Sequence, residues 1–362
     1  MDNKFISSVW NFNGEDTGYL SHSFLRWYGK LVPQLVGRLL QLYTKPGDTV
    51  LANFSGSGTV PLECLINDRN CLAIDANPLA ILLSQVKTTS HKLNLTKFIS
   101  YLKTVNFQAK PKLNDYEKKW FRPKQISDLK TLKQAIDKYK APEKEKKVFY
   151  LALAAIVRQC SLVDARCINH IVLDANKKNP DVLETYLLKL EEMQGVFEQL
   201  SSQVKKHTNI NIKAGDATDL KDLADEKFDL VISHPPYVGN VDYTNITQLE
   251  TYLLGYRYSD VRANDISTSS LPKYLESMKK VIAESVRVTK SAGHVVLIIG
   301  DNRKQGNVQP AFAYLITEAL QHGLELRDVF IWHLSQKAGM SIKRHGNHID
   351  HNYILVFRKL PV

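Results

Sequence analysis

The sequence predicts an α/β protein built on a mainly parallel sheet of seven strands, with a helical insertion and a terminal antiparallel hairpin. Three observations carry that prediction. Short apolar runs rich in β-branched residues recur along the chain and end in turn chemistry. Segments with helical spacing of apolar residues separate most of them. That alternation lapses twice, across residues 90–208 and again after Gly323.

The expected strands are 49–54, 71–75, 210–214, 228–233, 294–300, 326–332 and 353–357. Most are continuous apolar runs rather than alternating ones, as strands covered on both faces require. Residues 32–43, 60–66, 79–87, 271–288 and 311–322 carry helical patterns between them. Strand and helix in alternation build a parallel sheet. Within 90–208, Ile126, Leu129, Leu132, Ile136 and Tyr139 fall at steps of three or four, an apolar run covers 149–163, and Val182, Tyr186, Leu190, Met193, Phe197, Leu200 and Val204 resume helical spacing. An ordinary connection between strands is far shorter. The segment therefore reads as a helical insertion that divides one domain into residues 1–89 and 209–362. A chain of 362 residues, longer than the usual single domain, agrees with this division. Only the polar loop 335–350 separates the last two strands, so they must pair antiparallel.

A hydrophobic content of 44% and a charged content of 23% are those of an ordinary globular protein and exclude a disordered or fibrous chain. No apolar run approaches the roughly 20 residues of a membrane span. The N-terminus, Met1-Asp2-Asn3-Lys4, lacks the pattern of a signal peptide, so a cytoplasmic protein is expected. Cys64, Cys71, Cys160 and Cys167 form no Cys-x-x-Cys pair and read as free thiols in a reducing compartment. Cys160, Cys167 and His170 do not have zinc-ligand spacing, and His345, His348 and His351 have no acid or cysteine to complete a ligand set, so no metal is expected. The net charge is +11, and residues 110–147 hold thirteen Lys/Arg against six Asp/Glu, a local excess of +7. Such an excess suits a polyanionic partner, or simply a solvated helical face.

Two motifs carry chemistry. Phe54-Ser55-Gly56-Ser57-Gly58-Thr59 leaves a strand and opens a helix, where glycines let the backbone approach a ligand and the helix N-terminus faces it. About twenty residues on, Asp75 ends the next strand, the place where an acid binds ribose hydroxyls. Gly-x-Gly-x-x-Gly is not met and no Walker lysine follows. Asp216, within Gly215-Asp216-Ala217 at the end of a further strand, is placed to receive an adenine amino group or to cap a turn. The second motif is Ser233-His234-Pro235-Pro236-Tyr237 at a strand end. Prolines fix the backbone and aim a carbonyl, and Tyr237 offers a stacking face for an extruded base. An exocyclic amine is a poor nucleophile because its lone pair is delocalised. Hydrogen bonds from the amine to a side-chain acceptor and a carbonyl favour a tetrahedral nitrogen that can attack a sulfonium methyl group. None of the four cysteines follows a proline, so the nucleophile for carbon-5 methylation is missing.

On these motifs the chain resembles the amino-group DNA methyltransferases, which make N4-methylcytosine or N6-methyladenine with S-adenosylmethionine as donor. Trp10-Asn11-Phe12-Asn13-Gly14 and residues 22–33, with Lys30 and Pro33, look like the family's N-terminal cofactor segment. Phe54 to Thr59 resembles its first motif, Asp75-Ala76-Asn77 its ribose-binding strand end, and 300–303 and 351–357 its late motifs. The resemblance implies a class I methyltransferase (Rossmann-like) fold. It implies cofactor contacts from Lys30, Pro33, Asn53, Phe54, Ser55, Gly56, Ser57, Gly58, Thr59, Asp75, Ala76, Asn77, Asp216 and Ala217. His234, Pro235, Pro236 and Tyr237 would then form the catalytic corner, and the basic insertion would grip double-stranded DNA. A restriction-modification or defence setting, with a partner in that system, is also implied. Two departures stand out: Ala52-Asn53-Phe54 replaces Asp-Pro-Phe, and His234 replaces the Ser, Asp or Asn that opens the catalytic tetrapeptide. A neutral imidazole can accept the amine hydrogen and a charged one cannot, so activity should fall as His234 protonates. Cytosine-N4 is favoured over adenine-N6, because the residues around the tetrapeptide look closer to that subgroup. An RNA amino methyltransferase of the same chemistry and a catalytically silent nucleic-acid-binding subunit are the alternatives, although no appended RNA-binding module is recognisable.

Overall fold

A computed structural model describes residues 7–361 except 90–94, 109–111, 165, 168–169, 205–206, 239–241, 264, 301, 305–306, 310 and 335–350. The strands are β1 (Ser8–Asn11), β2 (Thr49–Ala52), β3 (Asn70–Asp75), β4 (Ile210–Ala214), β5 (Phe228–Ser233), β6 (Thr289–Ile299), β7 (Asn302–Lys304), β8 (Asn307–Gln309), β9 (Leu324–His333) and β10 (His351–Lys359). The helices are α1 (Pro33–Tyr43), α2 (Thr59–Ile66), α3 (Pro78–Lys87), α4 (Leu95–Leu102), α5 (Asp115–Trp120), α6 (Pro123–Lys138), α7 (Glu143–Val157), α8 (Val182–Gln203), α9 (Tyr243–Ile246), α10 (Gln248–Leu254), α11 (Tyr258–Ala263), α12 (Leu271–Val288) and α13 (Ala311–Gln321).

The main sheet has eight strands in the order β1-β9-β10-β6-β5-β2-β3-β4. Every pairing is parallel except those of β10, which runs antiparallel to both β6 and β9. This is the class I methyltransferase arrangement with one strand added at the edge. The addition is β1, in which only Trp10 is buried. Trp10 stacks on Phe330 with ring centroids 4.4 Å apart and carries the Arg38 guanidinium 4.5 Å from its ring.

The continuous apolar runs explain the layering, since each strand feeds two cores by strict alternation. On β6, Val295, Leu297 and Ile299 join the core under α12 and α13. Val296 and Ile298 face the opposite core with α1 and α2. β10 divides likewise, with Leu355 and Phe357 on one side and Ile354 and Val356 on the other. At its start α1 has Pro33 at its first turn, where a missing N–H costs nothing, and it buries Leu35, Val36, Leu39 and Leu40.

Residues from α3 through α8, with α10, build a separate helical core around Phe98, Phe149, Leu190 and Phe197. Phe98 and Phe149 stack with centroids 3.9 Å apart. Arg158, at the end of α7, joins this layer to the segment after β5. Its Nε lies 2.7 Å from a Glu250 carboxylate oxygen that is almost fully buried, and its other nitrogens donate to the carbonyls of Ile246 and Cys167. Arg158 thus satisfies a buried carboxylate, whereas Arg166 pairs with Asp164 at the surface. Of the basic run, Lys118, Lys124, Lys130 and Lys133 are paired with acids. Lys138, Lys140 and Lys144, around the turn between α6 and α7, make no ion pair among the described residues and are exposed.

Truncating Arg158 to alanine leaves Glu250 buried without its counter-charge, and loss of one partner of a buried pair costs about 3–5 kcal/mol. Urea unfolding of Arg158→Ala should show a loss of that order. Glu250→Gln, which keeps an acceptor, should lose clearly less.

Candidate active site

From β2 the chain lays strands in one direction across the sheet, and from β5 in the other. Such a reversal leaves a crevice at the carboxyl ends of the two strands, where α/β proteins bind ligands. A cavity occupies that position. Its walls include Asn53, Phe54, Ser55, Gly56, Ser57 and Thr59 after β2, Asp75, Ala76 and Asn77 after β3, and Gly215, Asp216 and Ala217 after β4. His234, Pro235 and Pro236 after β5 complete that side. The fold thus brings both motifs to one cavity.

Asp75 organises the strand ends. Its Oδ2 accepts from the Gly56 N–H at 2.7 Å and its Oδ1 from the Asn77 N–H at 2.9 Å. Burial nevertheless raises its carboxyl to about 6, against these stabilising hydrogen bonds, and the nearby Asp265 carboxylate pushes the same way. Each carboxylate oxygen retains lone-pair capacity for a ligand hydroxyl. Asn77 caps α3, its Oδ1 accepting from the Leu79 N–H at 2.9 Å. Asp216 accepts from the backbone and hydroxyl of Thr218, both at 2.8 Å, and forms a local turn at the cavity rim.

The glycine turn is shaped by α3. Gly58 has φ +73°, and a Cβ there would lie 2.9 Å from the Ser84 Cα. Ser55 Oγ and Ser84 Oγ are 2.7 Å apart. Two buried acceptors near the strand ends, Asn53 Oδ1 and Ser233 Oγ, have no partner among the described residues. A buried polar atom without a partner is costly, and Asn53 lies in the cavity wall. Unspent acceptor capacity beside a carboxylate at a strand end fits a ligand bearing hydroxyl and amino donors, as S-adenosylmethionine does.

At the Pro-Pro corner, His234 Nε2 and Tyr237 Oη are 3.0 Å apart. Burial lowers the His234 imidazole to about 4, so the ring is neutral near pH 7. The Tyr237 ring packs against the backbone of Gly300, where a Cβ would lie 2.9 Å from Tyr237 Cε2 and 2.6 Å from Asn352 Oδ1.

Four expected contacts do not line the cavity. Lys30 Nζ is turned to the carbonyls of Thr17, at 2.7 Å, and His22, at 3.4 Å. Pro33 is spent on starting α1. Gly58 faces α3, and Tyr237 stands behind His234. Trp10 packs under the sheet edge, so only the later part of the N-terminal segment, Trp27, Tyr28, Gly29 and Leu31, reaches the cavity. That segment is held by Glu63 on α2, whose Oε1 accepts from Tyr19 at 2.5 Å and lies 2.9 Å from His22 Nε2. Burial raises Glu63 to about 7 and lowers His22 to about 2, so the His22 imidazole is uncharged.

Sequence reasoning missed Tyr243, Thr244, Val261, Asp265 and Ile266, which close the cavity from α9, α11 and the turn beyond. Asp265 accepts from Thr244 Oγ1 and from the Ser267 N–H, both at 2.7 Å, and faces Asp75 closely enough to raise it. No motif marks it. The available signal was the long connection between β5 and α12, the kind of segment that covers sites. Asp301 and the loop residues Lys343, Arg344, His345 and His348 lie outside the described residues.

Residues 228–361 match a family model described as DNA methylase. The type II methyltransferase M.MvaI of Kocuria varians is 25% identical over 69% of this chain and 61% of its own length. M.MjaII of Methanocaldococcus jannaschii is 28% identical over 36% of this chain and 27% of its own. The chain thus spans less than two thirds of the curated relatives it matches. A solved structure, TrmN from Thermus thermophilus, aligns over 92% of this chain and 50% of that one, with 13% identity and a TM-score of 0.38.

Gly47 provides a control for the glycine turn, because its φ of +90° is also left-handed but no atom lies within 4 Å of a built Cβ. Alanine at either position pays about 1–2 kcal/mol for the backbone conformation. Gly58→Ala should lose about 1–3 kcal/mol more by overpacking against α3, an excess that chemical denaturation of the two variants will measure.

Proposed function

Through residues 228–361 the chain belongs to the amino-group DNA methyltransferase family, and we propose that it transfers the methyl group of S-adenosylmethionine to the exocyclic amine of a flipped DNA base. One observation carries the reading. The glycine turn after β2 and the Pro-Pro corner after β5 form walls of the same cavity. Cofactor and base would then meet there, as methyl transfer requires.

Asp75 and Asp265 face the ribose hydroxyls in this assignment, Asn53 takes a donor from the methionine end, and Asp216 stands at the rim for the adenine amine. The glycine turn cradles the cofactor, and Ser55, Ser57 and Thr59 set its backbone. When bound, S-adenosylmethionine supplies an electrophilic methyl group, and transfer makes one N–C bond for one S–C bond broken while the amine releases one proton. His234 and the carbonyl of Pro235 align the base, Tyr237 holds His234 from behind, and Pro236 keeps that carbonyl fixed. The family's tetrapeptide pattern favours cytosine-N4 as target. Residues 90–208 act as an insertion that grips phosphate, with the unpaired lysines between α6 and α7 as its contacts. A restriction-modification setting goes with this reading, since the curated relatives are named type II methyltransferases.

Incubation with labelled S-adenosylmethionine and either DNA or RNA, followed by digestion to nucleosides and mass spectrometry, tests the reading directly. Label on an amino nitrogen of a DNA base is expected, and label confined to RNA or to ring carbons would refute it. Calorimetry should show Asp75→Ala binding the cofactor roughly ten- to a hundred-fold more weakly, from about 1.5–3 kcal/mol per hydrogen bond to a charged group.

The two shifted groups predict separate acid limbs. Protonation of Asp75 removes the carboxylate that accepts ligand hydroxyls, so cofactor affinity should weaken as pH falls through about 6. His234 must stay neutral to align a base amine, so turnover at saturating cofactor should fall only as pH drops towards about 4.

A further inference from the structure

A second concave site lies at the other end of the sheet. The cavity of the glycine turn stands at the carboxyl ends of β2 to β5, whereas this groove opens on the α1 face, towards the amino ends of β6 and β9. Three guanidinium groups line it: Arg38 from α1, Arg327 from β9 and Arg358 from β10. None of the three makes an ion pair or a side-chain hydrogen bond among the described residues.

Local structure explains why they converge. Across β9 and β10, Val356 pairs with Asp328 and Phe357 with Leu326, which leaves Arg327 as the extra residue of a β-bulge. A bulge re-aims side chains. Leu326 packs on the α12 side of the sheet and Phe330 on the α1 side, so the extra residue lets Arg327 and Asp328 both face α1. Arg358 is the ladder partner of His294, and both line the groove. Arg38 is held with its guanidinium 4.5 Å from the Trp10 ring centroid, a contact that spends none of its N–H donors. Asp328 is the one acid among the described walls, and both its oxygens are engaged. Oδ2 accepts from the Tyr43 hydroxyl at 2.8 Å and Oδ1 from the Ser7 hydroxyl at 3.0 Å. Glu325, opposite Arg358 in the ladder, stands outside the walls and makes no ion pair among the described residues.

We propose that this groove binds the terminal phosphate of a phosphate monoester, at a site separate from the cavity of the glycine turn. A guanidinium presents planar pairs of N–H donors that match two phosphate oxygens at once. Three arginines against one aspartate leave two positive charges uncompensated, and a phosphate monoester near neutral pH carries close to two negative ones. A backbone phosphodiester has a single charge and two free oxygens, so it would leave the groove half neutralised. The bulge and the Trp10 contact hold the donors in place before any ligand arrives. The site stands independently of the base-methylation reading, because it uses no residue of that cavity.

Titration of the full chain with inorganic phosphate at physiological ionic strength, followed by 31P line broadening, tests the site. Saturable binding is expected, and Arg327→Gln and Arg358→Gln should each weaken it roughly ten-fold, the lower end of the scale for hydrogen bonds to charged groups. Lys280→Gln removes an exposed cation from α12, on the other face of the sheet, and should leave the affinity unchanged. Unfolding midpoints without phosphate should match that of the unaltered protein, and Arg38→Gln on α1 replaces either strand variant that unfolds. No saturable binding by the unaltered protein, an equal loss in Lys280→Gln, or unchanged affinity in the folded arginine variants would overturn the proposal. A short DNA duplex with unphosphorylated ends separates the two sources of phosphate. Its binding should be insensitive to Arg327→Gln, and a loss as large as that for inorganic phosphate would assign the groove to backbone phosphodiesters and overturn the monoester.

Discussion

Between β2 and β5 the chain reverses the direction in which it adds strands to the sheet, and the crevice left there is what the rest of the site is built around. A crevice alone has no fixed shape. Asp75 supplies one, because its two oxygens hold the N–H groups of Gly56 and Asn77, which follow different strands. The same carboxyl is buried and stands near Asp265, so its charged form is strained electrostatically before any ligand arrives. A ligand that donates hydroxyls to it relieves part of that strain. In the proposed reading, cofactor recognition and the shape of the glycine turn thus share one side chain.

The walls that do not belong to the sheet are tied to it by buried polar contacts. Arg158 joins the helical layer to α10 through Glu250. Glu63 joins Tyr19 and His22 to α2, which places Trp27 and Tyr28 over the turn at Gly56. Asn77 reaches Thr247 at 3.2 Å, linking the start of α3 to α10. Interactions of this kind add little net stability but fix geometry, since each buried group costs most when its partner is lost. The cavity is consequently enclosed by elements far apart in sequence and held in one arrangement.

Much of the fold was legible because parallel strands buried on both faces leave continuous apolar runs. Those of β3, β4, β5 and β10 were found at or near their true positions. β6 begins at Thr289, five residues before the expected start, because Lys290, Ser291 and Gly293 interrupt its apolar character while the backbone pairing with β5 continues through a bulge. β1 escaped notice since a four-residue edge strand with one buried side chain has no periodicity to read. At the site, residues that act through local turns were visible, whereas Lys30 and Pro33 were assigned by resemblance and are occupied in holding the N-terminal segment. Asp265 depends on how α9 to α11 fold back over Asp75, which no spacing in the sequence encodes.

His234 is the position where the meaning of a residue changed most between sequence and structure. A serine, aspartate or asparagine at the head of the tetrapeptide can accept a hydrogen through oxygen in any orientation. An imidazole has one acceptor nitrogen when neutral, and here Nε2 lies 3.0 Å from Tyr237 Oη. With Nε2 engaged by the phenol, a backbone carbonyl fixed by the two prolines is a further acceptor that the corner offers a base amine in the proposed reaction. Burial, which keeps His234 neutral, removes the competing charged state in which both nitrogens would donate and neither could accept. The substitution therefore comes with a phenol partner in Tyr237, whose ring in turn needs the bare backbone of Gly300 beside it.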